Sequence, residues 1–226
     1  MMLSDVMEDY LKAIYQLQAD SDGRIRTSEI AEELGVTSPT VTSMIEKLEE
    51  RGLIDREKYR GVWLTDEGET VALEVVRHHR LLEAYLTEHL DFDWSEVHEE
   101  ADRLEHHISE EFESRLAAAL DDPEVDPHGS PIPGADLEPP ETSPGESIAA
   151  FAEGDLVVVE EVADRDPDVL SYLADHGLTP GVELEIVEVA PFGMVTARPV
   201  DADRTVSLPE EVARQVRVVE PSSVEH

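Results

Sequence analysis

"TSEIAEELGVTSPTVTSMIEKLEERG", residues 27–52, decides how the amino-terminal part of the chain folds. Ile30, Ala31 and Leu34 recur at helical spacing and the pattern stops at Gly35, so a short helix is predicted over 28–34. Thr37 or Ser38 can cap a second helix, and Pro39 falls near its first position, where a missing N–H costs little. Val41, Met44, Ile45 and Leu48 continue the apolar face and Gly52 ends it. Two short helices around a glycine turn have helix-turn-helix spacing.

Reading outward, residues 4–18 form a first helix, with Ser4 as its cap and Val6, Met7, Tyr10, Leu11, Ile14 and Leu17 as its apolar face. On the other side, "LIDREKYRGVWLTDEG" (53–68) gives strands over 54–59 and 62–64 around a turn at Arg60-Gly61. A strand pair after a helix-turn-helix is a wing, so residues 1–73 are expected to form a winged helix-turn-helix domain.

Thr65 can cap a long helix over 66–90, which "LDFDW" interrupts. Ser95 can cap one continuous helix over 96–120, with Ala101, Leu104, Ile108, Phe112, Leu116 and Leu120 as its stripe. Two such helices do not bury their apolar faces alone, so residues 74–134 are expected to form a helical dimerisation domain, completed by a second subunit. Residues 121–150 hold seven of the 14 prolines, and 135–150 read as a proline- and acid-rich linker. From 151 to 221 the pattern changes to short strands, "DLVVVEEV", "VELEIVEV", "MVTARPV", "RTVSL" and "VRVVE", with one helix over 167–175. This suggests a small β-barrel. The expected class is mainly α with small β.

The chain carries 54 acidic against 17 basic residues and a formal charge of −37. Acids interleaved with regular apolar positions still fold, and an acidic, lysine-poor surface resembles proteins of halophiles with a salt-saturated cytoplasm. At molar salt the Debye length of about 3 Å screens the self-repulsion. The absence of cysteine removes disulfides, zinc–thiolate sites and thiol catalysis. No apolar run is long enough for a membrane helix and no leader pattern opens the chain, so the cytoplasm is the expected location.

Charge is unevenly spread: residues 24–60 hold seven basic and eight acidic residues, against seven and 37 over 81–226. The winged-helix region is thus the least negative, as a DNA-binding face on an acidic protein requires. Ser38, Pro39, Thr40 and Ser43 are expected nearest the bases of a major groove. Lys47, Arg51, Arg56, Lys58 and Arg60 are candidates for phosphate contacts. For Lys47 and Arg51, pairing with helix acids is the competing reading.

The stretch "DRLEHHI" (102–108) sets acids and histidines on one helix. With His98 at zero, Asp102, Glu105 and His106 fall at about +40°, −20° and +80°, a single stripe. His79 and Glu83 form an i,i+4 pair on the preceding helix. Imidazole plus carboxylate without thiol suits Mn(II), Fe(II), Co(II) or Zn(II). In so acidic a chain a solvated face explains any one such pair better than a metal does, and only two helices carrying such pairs beside a helix-turn-helix put the two readings level.

"MEDYLKAIYQL" (7–17), "TSEIAEELGVTSPTVTSMIEKLEERGLI" (27–54), "EKYRGVWLT" (57–65), "HHRLLEAYL" (78–86), "VHEEADRLEHHI" (97–108) and "DPHGSPIPG" (126–134) follow one another in order. Together they resemble the diphtheria toxin repressor family of metal-activated transcriptional repressors, most closely its manganese-sensing branch, the manganese transport regulators. The part from 151 resembles the SH3-like, ferrous-transport-accessory-like domain of the longer members. The resemblance implies a homodimeric repressor, not an enzyme, that binds a palindromic operator on double-stranded DNA and controls metal-uptake genes. It implies a primary metal site of Asp9, Asp102, Glu105 and His106, and an ancillary site of His79, Glu83 and His98. Iron-sensing members carry methionine and cysteine where Asp9 and Asp102 stand, so oxygen donors favour Mn(II), with Fe(II) as the alternative. The manganese branch carries a glutamate at the position of Lys12. Iron-sensing members complete the ancillary site from the SH3-like domain, where "DRDPDV" offers Asp166 or Asp168. The competing functions are a metal-independent winged-helix regulator with an SH3-like interaction module and a helical-bundle di-metal enzyme. The latter needs two Glu-x-x-His motifs on separate helices, which the chain does not have.

Overall fold

The computed structural model describes residues 3–19, 21, 23–140, 145–163 and 166–221; residues 141–144 of the expected linker, and Asp164 and Arg165 of "DRDPDV", lie outside the described residues. The chain divides into two compact units, each assembled from separated segments: 1–79, 104–113 and 133–140 in one, and 80–103, 114–132 and 141–226 in the other.

The first unit opens with α1 (Asp5–Ala19), α2 (Thr27–Glu33) and α3 (Ser38–Glu50), followed by β1 (Ile54–Glu57), β2 (Gly61–Leu64) and the start of α4 (Asp66–Leu90). Met7, Tyr10, Leu11 and Ile14 of α1 bury against Ile30, Val41, Ile45 and Leu48 of the helix-turn-helix. Pro39 sits in the first turn of α3, and Gly52 behind it takes φ 75°. The wing is antiparallel, from Ile54↔Leu64 to Glu57↔Gly61. Its first strand stops at Glu57 rather than reaching residue 59, because Tyr59 adopts φ 69° in the turn. Ile25 joins the wing through Val62, and a Cβ on Gly61 would stand 2.4 Å from the Ile25 carbonyl oxygen. Thr65 caps α4 as expected: its hydroxyl accepts from Gly68 N (3.2 Å) and its carbonyl from Glu69 N (2.8 Å).

The expected continuous helix over 96–120 is two helices, α5 (Val97–Leu104) and α6 (Glu110–Ala119). Ser109 starts the second: its hydroxyl accepts from Phe112 N (3.3 Å) and its carbonyl from Glu113 N (2.9 Å). Glu110, Glu111 and Glu113 then lie in the first turn, where the helix dipole favours acids. The apolar spacing runs through the break, which is why the sequence conceals it. Nor does Ser95 cap α5. Its hydroxyl donates to Asp93 Oδ1 (2.6 Å), while the Asp93 carbonyl accepts from Glu96 N and Val97 N.

The second unit contains a sheet of order β3-β8-β4-β5-β6-β7 among the described residues. Its strands are β3 (Glu146–Ser147), β4 (Leu156–Val162), β5 (Glu183–Val189), β6 (Val195–Pro199), β7 (Val206–Leu208) and β8 (Val216–Val219), with α7 (Pro167–His176) and α8 (Glu210–Ala213) between them. Val157, Val159, Leu184, Ile186, Val195 and Val218 form its core with Leu170 and Leu173 of α7. Each neighbouring pair is antiparallel, as expected of an SH3-like barrel. The expected linker is shorter than 135–150: Glu146 and Ser147 already pair with β8, and Ile148 is fully buried in the barrel core.

The loop 126–130 is tied to β4 within this unit. Ser130 Oγ donates to Glu161 Oε1 (2.6 Å), and Val162 N donates to the His128 carbonyl (2.9 Å). Gly129 has φ 91°, and a Cβ there would lie 1.9 Å from the Glu160 carbonyl oxygen. Gly129→Ala is therefore expected to destabilise the protein by roughly 2–4 kcal/mol. Urea unfolding measures it, and a loss below about 1 kcal/mol would contradict the close approach.

Candidate metal centre and nucleic-acid interface

The break after Leu104 turns Glu105 and His106 onto α1. His106 Nε2 lies 2.8 Å from Asp9 Oδ1 and 3.5 Å from Glu105 Oε1, and its Nδ1 lies 2.8 Å from Glu8 Oε2. The Glu105 side chain is 1% exposed and that of His106 7%. One ligand atom each from Asp9, Glu105 and His106 fall within 4.8 Å of one another. Neighbouring donors around a six-coordinate ion at about 2.1 Å are about 3 Å apart. Two carboxylates and an imidazole at this spacing fit a divalent first-row ion.

Lys12, one turn further along α1, enters the same cluster. Its Nζ is 2.7 Å from Glu105 Oε2 and 3.0 Å from His79 Nδ1. His79 Nδ1 is also 2.5 Å from Glu105 Oε2. Three of the residues assigned by resemblance, Glu83, His98 and Asp102, belong to the second unit. Asp102 lies on α5, where its carboxylate faces His98 Nε2 at 3.5 Å. Glu83 places Oε1 3.2 Å from His98 Nδ1.

A group that the sequence did not single out surrounds Glu83. Ligand atoms of Glu83, Asp126 and His128 lie within 4.8 Å of one another, and all three residues are buried. Arg80 Nε, 3.6 Å from Asp126 Oδ2, supplies positive charge there. Asp126 Oδ1 accepts from His128 N (2.8 Å) and Ser130 N (3.0 Å), and the Trp94 carbonyl fixes His128 Nε2 at 2.9 Å. Two carboxylates and an imidazole at this spacing also fit a divalent ion. Only "DPHGSPIPG" hinted at it, as a family motif without an assigned role. In the expected ancillary extension, Asp166 Oδ1 instead accepts from Asp168 N and Val169 N and caps α7.

On the winged helix, Ser38, Pro39, Thr40, Ser43, Lys47, Arg51, Lys58 and Arg60 are exposed and Arg56 is half-buried. Arg56 Nη1 is 3.6 Å from Glu46 and 3.8 Å from Glu49, and Arg60 Nη1 is 3.0 Å from Glu57. Lys58 Nζ stands 5.1 Å above the Tyr59 ring. Solvated ion pairs of this kind contribute about 0–1 kcal/mol, so exchanging their acids for phosphates costs little. Two arginines outside the sequence-based set share this surface: Arg24 pairs with Asp55 at 2.5 Å, and Arg26 pairs with Glu29 at 3.1 Å and lines a cleft with Arg56 and Tyr59.

Comparison with known proteins decides the family. Residues 2–62 match the N-terminal DNA-binding domain of iron-dependent repressors, 65–134 their metal-binding and dimerisation domain, and 147–220 the FeoA domain. The chain belongs to the iron-dependent repressor family. It is 34% identical over 227 residues to the iron-dependent repressor IdeR of Mycobacterium tuberculosis, covering 96% of this chain and 97% of the relative. It is 35% identical to the diphtheria toxin repressor of Corynebacterium diphtheriae, covering 82% and 86%. A solved manganese-dependent transcriptional repressor in complex with manganese superposes with a TM-score of 0.88 at 39% identity, covering 95% and 100%. ScaR with bound Zn2+ superposes at 0.81 with 32% identity, covering 95% and 99%. The family is one of DNA-binding regulators rather than enzymes.

The titration of the cluster follows from these contacts. Burial raises the Asp9 carboxyl above its ordinary value, only partly offset by His106. Burial lowers the His106 imidazole, but the bond to Glu8 and the charges of Glu105 and Asp9 outweigh it, so its net shift is upward from 6.5. A protonated His106 therefore stabilises the metal-free fold, fully below pH 6.5 and no longer above its raised folded value. Raised Asp9 acts in the same sense, favouring the fold where its carboxyl is protonated. In chelator, the thermal midpoint is expected to fall as pH rises from about 6 to 8, with a smaller slope in His106→Gln. An equal slope in both proteins would contradict the assignment.

Proposed function

We propose that this chain is a homodimeric transcriptional repressor whose binding to a palindromic operator requires a divalent metal ion, Mn(II) by donor preference and Fe(II) as the alternative, and that it controls metal-uptake genes. The observation that carries this reading is the meeting of Asp9, on the first helix of the winged-helix domain, with Glu105 and His106, nearly a hundred residues later. Bound there, the ion supplies the positive charge that holds Asp9 and Glu105 together. Asp9 lies on the helix that packs against the helix-turn-helix core, so fixing its carboxylate fixes the orientation of α3. The ion acts only through a difference in affinity between the operator-competent and other arrangements. A twofold dimer presents two α3 helices to two half-sites.

Asp102 is retained as a fourth ligand by resemblance. The same holds for His79 in an ancillary site whose other donors, Glu83 and His98, meet in the second unit. Glu83 with Asp126 and His128 offers an alternative composition for that site. At the DNA, Ser38, Pro39, Thr40 and Ser43 present small side chains to base edges and sugar-phosphate, which favours thymine-methyl contact and shape readout over bidentate hydrogen bonds. Lys47, Arg51, Arg56, Lys58 and Arg60 meet phosphates. The acidic, lysine-poor surface supports a cytoplasmic protein of a halophile.

Asp9→Ala or His106→Ala is expected to lower operator affinity in Mn(II) at least about tenfold, a loss of ~1.4 kcal/mol, with unchanged circular dichroism. Undiminished metal-dependent binding in both variants would refute the site. With a formal charge of −37, the unfolding midpoint should rise steeply with KCl up to molar concentration. A midpoint indifferent to KCl would argue against halophilic adaptation.

A further inference from the structure

We propose that Lys12 is a tethered cation filling the place of a second ion beside Glu105, so that the Asp9–Glu105–His106 cluster takes a single divalent ion per chain. The inference rests on the metal reading of that cluster. Lys12 is 8% exposed, and its ammonium stands 2.7 Å from Glu105 Oε2 and 3.0 Å from His79 Nδ1. An ammonium only donates. Glu105 is therefore divided: Oε2 faces Lys12, and Oε1 faces His106 at 3.5 Å. His79 Nδ1 either accepts from Lys12 or donates to Glu105. In neither state is Nδ1 itself offered to an ion.

Charge sets the count. Within the first unit Glu8, Asp9 and Glu105 face the cluster with three negative charges, and Lys12 cancels one of them. The remaining two match one divalent ion, and Asp102, the fourth ligand by resemblance, would leave the loaded site with a single negative charge. Replacing Lys12 by glutamate leaves four negative charges around the same cluster and opens Glu105 Oε2 and His79 Nδ1. Two divalent ions then match the charge. An ammonium held by its own helix has no concentration dependence, so this half of the cluster is neutralised whether or not metal is available. Only the Asp9–His106 half responds to it.

Equilibrium dialysis with Mn(II), read by elemental analysis, and electron paramagnetic resonance of the loaded protein test this on the full chain in molar KCl. Lys12→Glu is expected to bind one Mn(II) more per chain than the natural protein. Its spectrum should show an exchange-coupled pair, where the natural protein shows only the hyperfine pattern of isolated Mn(II). Lys12→Asp, which brings a carboxylate to the same helix position on a shorter side chain, should show the same gain at weaker affinity, and it decides the matter if Lys12→Glu does not fold. An unchanged count in the folded variants, or a coupled pair in the natural protein, overturns the role of Lys12 alone. If Asp9→Ala leaves the natural protein's count unchanged, the metal reading of the cluster falls and this inference with it.

Discussion

His106 holds two consecutive carboxylates of the first helix, one on each ring nitrogen, and the rest of the regulatory architecture depends on that grip. Two neighbouring, partly buried acids repel one another, and a cation between them offsets that repulsion. The metal-free protein offsets it with an imidazolium and the Lys12 ammonium. A divalent ion does so more strongly and with directional bonds. In the proposed reading, the sensing element and the fold's electrostatic weak point are the same few side chains.

The surrounding structure explains why these side chains meet. Ser109 starts a new helix, which frees residues 105–108 to leave the axis of α5. Arg77 then reaches Glu113 at 2.5 Å and the Pro133 carbonyl at 2.6 Å, and His78 bonds the Glu105 carbonyl at 3.0 Å. The turn that carries Glu105 and His106 is in this way pinned to α4 by backbone as well as side chain. Charge-assisted bonds of this kind are about twice as strong as neutral ones, and here they position ligands rather than close a core.

Much of this was legible in the sequence. The bounds of α3 and α4 follow from Pro39, Gly52 and Thr65, because caps and breakers act locally. Asp9, Glu105 and His106 were named together through resemblance, and the structure brings all three within ligand distance. The helical-wheel argument for Asp102, Glu105 and His106 was less sound. Its premise, one continuous helix, fails at Glu105, because apolar spacing persists through the break while the cap at Ser109 decides the backbone. Asp126 and His128 were beyond reach for a different reason. They approach Glu83 through a loop tied to β4, and no periodicity encodes a contact over more than forty residues. Lys12 was visible only as a departure from the manganese branch; its contacts turn the departure into a charge that the site uses.

The central claim is a coupling between metal and operator, and coupling is reciprocal: each ligand must tighten the other by the same factor. Mn(II) affinity measured by calorimetry in molar KCl, with and without saturating operator duplex, tests it most directly. The account requires Mn(II) to bind more tightly in the presence of operator, by the factor by which Mn(II) tightens the operator. Identical Mn(II) affinity with and without operator would contradict it.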